Sequence, residues 1–243
     1  MWSLIDEIGI VGLVLAIAAM FGGAAAQASI GMGLNLFTVG VLALINPVFV
    51  PAPILVHSFV LSVIASVRLR HDINLGEVYL SVLGLIIGTL VAASVLALVP
   101  LDHLPRVFGL IIIVAVSITA LGMHVPLTKG TIVAASAAAG VMGTIAGVHG
   151  PPIALVYQRE KPARIRAALL PFFAVANPLS LLALAFVGQF GWREMYASIL
   201  LLPGLAAGYL FAPVLIRALS PAFVRAAILL VSAASGVGLL IKG

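Results

Sequence analysis

The chain has no cysteine, which excludes disulfides, thiolate chemistry and Cys-ligated metals. It also has little charge. Asp, Glu, Lys and Arg make up 8% of its 243 residues, against roughly 25% in a soluble domain, too few to cover a water-facing surface. Carboxylates are absent from the interior of every long apolar run, which argues against an Asp/Glu proton relay of the pump type. Catalytic signatures are missing as well. There is no HExxH, no Gly-x-Ser-x-Gly and no acidic cluster at metal spacing within a span, so nothing points to an enzyme, a metal site or a cofactor. Two histidines alone make a poor metal site. Asp6 and Glu7 precede the first apolar run where a signal peptide would carry basic residues, so no cleavable leader is expected.

What the chain does have is apolar sequence. Hydrophobic residues are 63% of it, with a mean hydropathy of +1.31. The runs are about 20 residues long and do not alternate, which is the pattern of an all-α integral membrane protein rather than a barrel. The formal net charge of +5 is no nucleic-acid signature, because the Lys and Arg residues lie between apolar runs, where they set topology. The expected partners are the lipid bilayer and a small substrate, with no nucleic acid and with room for a homodimer. Two long stretches, 8–46 and 130–157, are interrupted. Spans are expected near 48–67, 78–99, 107–123, 167–187, 195–216 and 223–241. That gives roughly eight transmembrane segments, or up to ten counting half-helices.

The two halves, 1–125 and 126–243, repeat within one membrane domain. Gly33 lies 117 positions before Gly150. Pro51-Ala-Pro-Ile-Leu-Val-His57 lies 120 before Pro171-Phe-Phe-Ala-Val-Ala-Asn177. Gly84-Leu-Ile-Ile-Gly88 lies 120 before Gly204-Leu-Ala-Ala-Gly208, and Arg106 lies 119 before Arg225. The paired GxxxG motifs read first as faces where helix backbones approach closely. Equivalent loops carry opposite charge bias, and positive-inside reasoning then places them on opposite sides. The halves are therefore expected to be inverted repeats, each crossing an odd number of times, with the interrupted segment re-entering on its own side. This puts Arg68, Arg70, Lys129, Arg159, Lys161, Arg164, Arg166, Arg217 and Arg225 inside and only Arg106, Arg193 and Lys242 outside.

The interruptions carry the chemistry. Gly147-Val148-His149-Gly150-Pro151-Pro152 cannot continue a helix, because glycine is too free and proline lacks the N–H and clashes with the preceding turn. Broken backbone is tolerated at membrane depth only where protein buries it or a polar cavity wets it. The first interruption runs from Gln27 to Asn35 through Gly31 and Gly33. Helix N-termini and glycine amides at such breaks attract anions without a fixed cation. The candidate substrate-binding residues are His149, Gly147, Gly150 and Pro151 at the second break, and Gln27, Gly31, Gly33 and Asn35 at the first. His57 and Asn177 join them from equivalent mid-span positions. Tyr157 reads instead as an interfacial belt aromatic, and Arg159 to Arg166 as topology anchors. A small anion leaving a cell that is negative inside needs no coupling ion, since about 2.3 kcal/mol per charge per 100 mV favours exit. Export is the expectation; a channel and a proton-coupled uptake permease are the alternatives.

Gly147-Val-His-Gly-Pro-Pro-Ile-Ala-Leu-Val-Tyr157, followed by Arg166-Ala-Ala-Leu-Leu-Pro-Phe-Phe-Ala-Val-Ala-Asn177, resembles the second repeat of the TauE/SafE family of sulfite and organosulfur-anion transporters. That family is also called the toluene sulfonate uptake permease family. The first repeat looks like its counterpart, and the resemblance runs over essentially the whole chain. It implies a bacterial or archaeal plasma-membrane transporter for sulfite, a sulfonate such as sulfoacetate, or a related organic anion. The family motifs map onto Gly31 and Gly33 in the first break and onto Gly147, Gly150, Pro151 and Pro152 in the second. The chain departs from the usual pattern in two places: the first break reads Gly-Met-Gly-Leu-Asn rather than a glycine run, and His149 stands where many relatives have glycine.

Overall fold

A computed structural model describes residues 2–30, 34–122, 125–218 and 220–242. The described residues form ten α-helices and no strand: α1 (Trp2–Ile30), α2 (Leu34–Ile45), α3 (Ala52–Arg68), α4 (Leu75–Leu98), α5 (Leu104–Leu121), α6 (Lys129–Ala146), α7 (Gly150–Tyr157), α8 (Pro162–Phe186), α9 (Trp192–Ala218) and α10 (Pro221–Lys242). Eight of them are long and apolar enough to cross a bilayer. The other two, α2 with 12 residues and α7 with 8, rise only about 1.5 Å per residue and fall short of a hydrocarbon core of about 30 Å. Large apolar side chains such as Phe186, Leu98 and Ile241 are more than 80% exposed. A surface of this kind belongs in lipid.

Local chemistry sets the helix ends. Asn74 caps α4 by accepting from the amides of Gly76 at 3.0 Å and Glu77 at 3.3 Å. Thr128 and Thr131 form a reciprocal capping box at the start of α6, satisfying two amides that a helix start leaves orphaned. α1 carries a kink at Gly9, whose φ of 74° is non-helical. Pro171 and Pro178 lie within α8 without ending it, a tolerance that neighbouring helices supply in membrane proteins.

Packing exchanges helices between the halves. α6 lies most extensively against α4, and α1 against α9; α3 pairs with α8, and α5 with α10. Glycines set the first two contacts. A Cβ at Gly84 would collide with the Val133 carbonyl, and one at Gly88 with that of Ala137. On α9, a Cβ at Gly204 would collide with the Ile17 carbonyl and one at Gly208 with that of Phe21. Residue numbers rise together across both contacts, so each pair runs parallel. In both halves the GxxxG glycines therefore serve backbone-to-backbone packing.

α1 and α2 form an antiparallel hairpin: a Cβ at Gly12 would meet Ile45, and one at Gly22 would meet Phe37. Its two ends meet, with Asn46 Nδ2 donating to Glu7 Oε1 at 3.3 Å. Arg193, at the start of α9, pairs with the same carboxylate at 2.7 Å, and Lys242 donates to the Leu44 carbonyl at 3.2 Å. On the opposite face, Tyr157 at the end of α7 donates to Glu77 Oε2 at 2.8 Å, and Arg164 pairs with Glu77 Oε1. Because α4 and α6 run parallel, α6 starts on this same face. The α6–α7 hairpin thus also returns to the face from which it set out.

Candidate functional site

α6 ends because Gly147 adopts φ 79° and ψ 9°. Its amide donates to Gly143 O at 2.7 Å, and the Val148 amide reaches back to Met142 O at 3.4 Å. This is a Schellman-type cap, in which a left-handed residue turns the chain away while satisfying orphaned carbonyls. α7 then begins at Gly150. Pro151 and Pro152 have no N–H, so among the first three helical positions of α7 only Gly150 brings an amide without an intrahelical acceptor.

The first break is closed by Gln27, whose Oε1 accepts from the Leu34 amide at 3.3 Å. Gly31 and Gly33 lie outside the described residues. The two breaks touch directly: Asn35 Nδ2 donates to the Gly147 carbonyl at 2.6 Å. A contact between residues 112 apart in sequence therefore joins the start of α2 to the end of α6.

A cavity of about 590 Å³ opens beside this junction. Ligand sites generally fall between roughly 300 and 1,000 Å³. Gln27, Asn35, Ser58, Gly150 and Pro151 line its inner part, and Thr119, Gln158 and Arg225 line it at the face where α5 and α7 end. Between them the wall is apolar, with Leu36, Val148, Phe173 and Ile228 among its members.

Three sequence candidates sit behind this wall instead of in it. His149 is 1% exposed. Its Nε2 lies 3.0 Å from Ser180 Oγ, which is 2.7 Å from Thr144 Oγ1, and Thr144 reaches Thr89 at 3.4 Å. The imidazole occupies the space that a Cβ on Gly143 would need and meets Phe172 edge to face. His57 is fully buried, with Nε2 3.2 Å from Ser198 Oγ on α9. Asn177 donates to Ser58 Oγ at 3.2 Å, so it stands one hydrogen bond behind a cavity-lining hydroxyl. Among the described residues, His57 Nδ1, His149 Nδ1 and Asn177 Oδ1 have no hydrogen-bond partner. Buried polar atoms left in that state are rare, because each costs about 1–3 kcal/mol.

Sequence reasoning missed Ser58, Ser180, Gln158 and Arg225. A serine inside an apolar helix carries no signal of its own, since it can bond its own helix. For Arg225 the signal existed, in its match with Arg106 at the same repeat offset. Tyr157 corrects the expectation of a belt aromatic. It is 1% exposed, and its hydroxyl binds Glu77. Among the described residues, no group of three or more His, Cys, Asp or Glu side chains is placed to hold a metal.

Eight apolar spans with two paired helix breaks fit a multi-pass membrane protein. The family profile described as sulfite exporter TauE/SafE matches residues 15–239, so the chain belongs to the TauE/SafE family. Membership implies membrane transport of the sulfite or anion exporter type. No curated protein and no solved structure gives a significant match.

Proposed function

We propose that the protein exports a small sulfur-containing or carboxylate anion across a prokaryotic plasma membrane, binding it where the two helix breaks meet. The observation that carries this reading is the cavity: Asn35 and Gly150, one from each break, line the same space. Free amides at the starts of α2 and α7 present partial positive charge to that space. Sulfite and sulfonates such as sulfoacetate are the favoured substrates, because they suit amide donors and match the family. His149, His57 and Asn177 support the site from behind, holding the helices that carry the lining residues.

We also read the halves as inverted repeats. Two hairpins returning to opposite faces, followed by three spans each, give every half an odd number of crossings. The face bearing Arg164 and Arg225 is then cytoplasmic by the positive-inside rule, and the cavity opens toward the cytosol. Such a plan, with broken helices at a central site, recurs among secondary transporters.

Flux in proteoliposomes under an imposed potential tests the direction. Efflux of radiolabelled sulfite or sulfoacetate driven by an inside-negative potential is the expected result. Accumulation against that potential would overturn export in favour of coupled uptake, and unsaturable flux would point to a channel.

A further inference from the structure

We infer that Arg225 is the residue that captures the anion at the cytoplasmic mouth of the cavity, an inference that rests on the transport reading above. Among the described residues lining the cavity, Arg225 is the one charged side chain, and no carboxylate accompanies it. The two ion pairs among the described residues involve Arg164 and Arg193, not Arg225. Its Nη2 donates to the Thr119 carbonyl at 2.9 Å, which fixes the side chain but uses only one of the five N–H donors of a guanidinium. The remaining fork matches a carboxylate, sulfite or sulfonate in a planar, two-point fashion that lysine cannot reproduce.

Arg225 is exposed in the second turn of α10, so an anion entering from solution can reach its guanidinium. Topology explains a cation on this face; it does not by itself explain one in the cavity wall. Low-dielectric walls such as Ile118, Ile165 and Leu229 focus its field into the cavity and raise the local anion concentration. Arg106, its counterpart in the first repeat, is exposed near the start of α5. By the same repeat logic it serves the opposite mouth when the cavity opens outward.

The test is uptake of radiolabelled sulfite and sulfoacetate into inside-out vesicles, where the cytoplasmic mouth faces the medium, with folding checked by size-exclusion and thermal unfolding. R225Q should raise KM about tenfold or more and flatten the dependence of KM on ionic strength. R225K should recover part of the loss, and K129Q, at an exposed cation at the start of α6 that does not line the cavity, should leave KM within about twofold. If folded R225Q keeps a wild-type KM and salt dependence, Arg225 only pins Thr119 and the inference fails while transport stands. If wild-type vesicles move neither anion, the transport reading fails and takes this inference with it.

Discussion

Gly88→Ala adds a single methyl group, and its consequence can be worked from the geometry. The new Cβ would meet the Ala137 carbonyl oxygen, with the Ala137 carbonyl carbon at 2.8 Å and its Cα at 3.0 Å. All three atoms are backbone, so no side chain can swing aside. Carbon contacts settle near about 3.5–4.0 Å, so α4 and α6 must part by something on the order of 0.5–1 Å. A gap of that size forfeits roughly a quarter to a half of each dispersion contact along the face. Overpacking of this kind costs about 1–3 kcal/mol. Gly130→Ala is the control on the partner helix α6: nothing stands within 4 Å of its Cβ position, and alanine favours a helix by up to about 1 kcal/mol over glycine. Reversible unfolding in mixed micelles should rank Gly88→Ala below wild type and Gly130→Ala level with it or above. Gly208→Ala, which would face Ala24 Cβ at 2.8 Å and the Phe21 carbonyl carbon at 3.0 Å, should match Gly88→Ala. Because α6 leads straight into Gly147, the displaced helix should also lower transport. Equal stabilities for the Gly88 and Gly130 variants would refute the claim that a backbone contact sets this helix pair.

Other perturbations probe the breaks and the helix ends. Asn35→Leu should destabilise by about 1–3 kcal/mol by leaving the Gly147 carbonyl without its donor, and Asn35→Asp should be worse because a carboxylate would face that carbonyl; an Asp variant as stable as wild type would count against the clamp. Gly143→Ala should be destabilising alone but largely relieved in a His149→Ala background, since the new methyl group needs the space of the ring. A double-mutant cycle would show a coupling of about 0.5–3 kcal/mol, and strict additivity would contradict the packing described. Tyr157→Phe removes a hydroxyl that donates to a carboxylate and should cost about 1.5–3 kcal/mol; a belt residue would show almost no change in the same unfolding assay.

Much of this architecture could be read from the chain because lipid imposes coarse rules. Expected spans such as 78–99 and 167–187 fall on α4 and α8, since an apolar run of crossing length has few alternatives to a helix. The break at Gly147 to Pro152 was equally legible, because two prolines and a left-handed glycine cannot be accommodated in a continuing helix. Side-chain direction was not. His149 sits at the break, as its place in the chain required, yet its ring turns into the space left by Gly143, a matter of rotamer and neighbour that one sequence does not encode locally. Tyr157 was misjudged for a similar reason: Glu77, its partner, lies 80 positions away, and nothing near Tyr157 announces it. Ser58 became a candidate only when folding brought α3 to the cavity, whereas Arg225 carried a signal, its match with Arg106, whose meaning only the cavity supplied.

The exchange of helices between halves also bears on how the protein can be made. The ribosome delivers α1 long before α9 exists, so the carbonyls of Ile17 and Phe21 wait without the glycine face that finally covers them. An insertion partner or transient lipid contacts must shield that ridge in the meantime. A nascent chain stopped after α5 would hold α1 and α4 each stripped of its mate, and it should be a ready target for membrane proteases until the second half arrives.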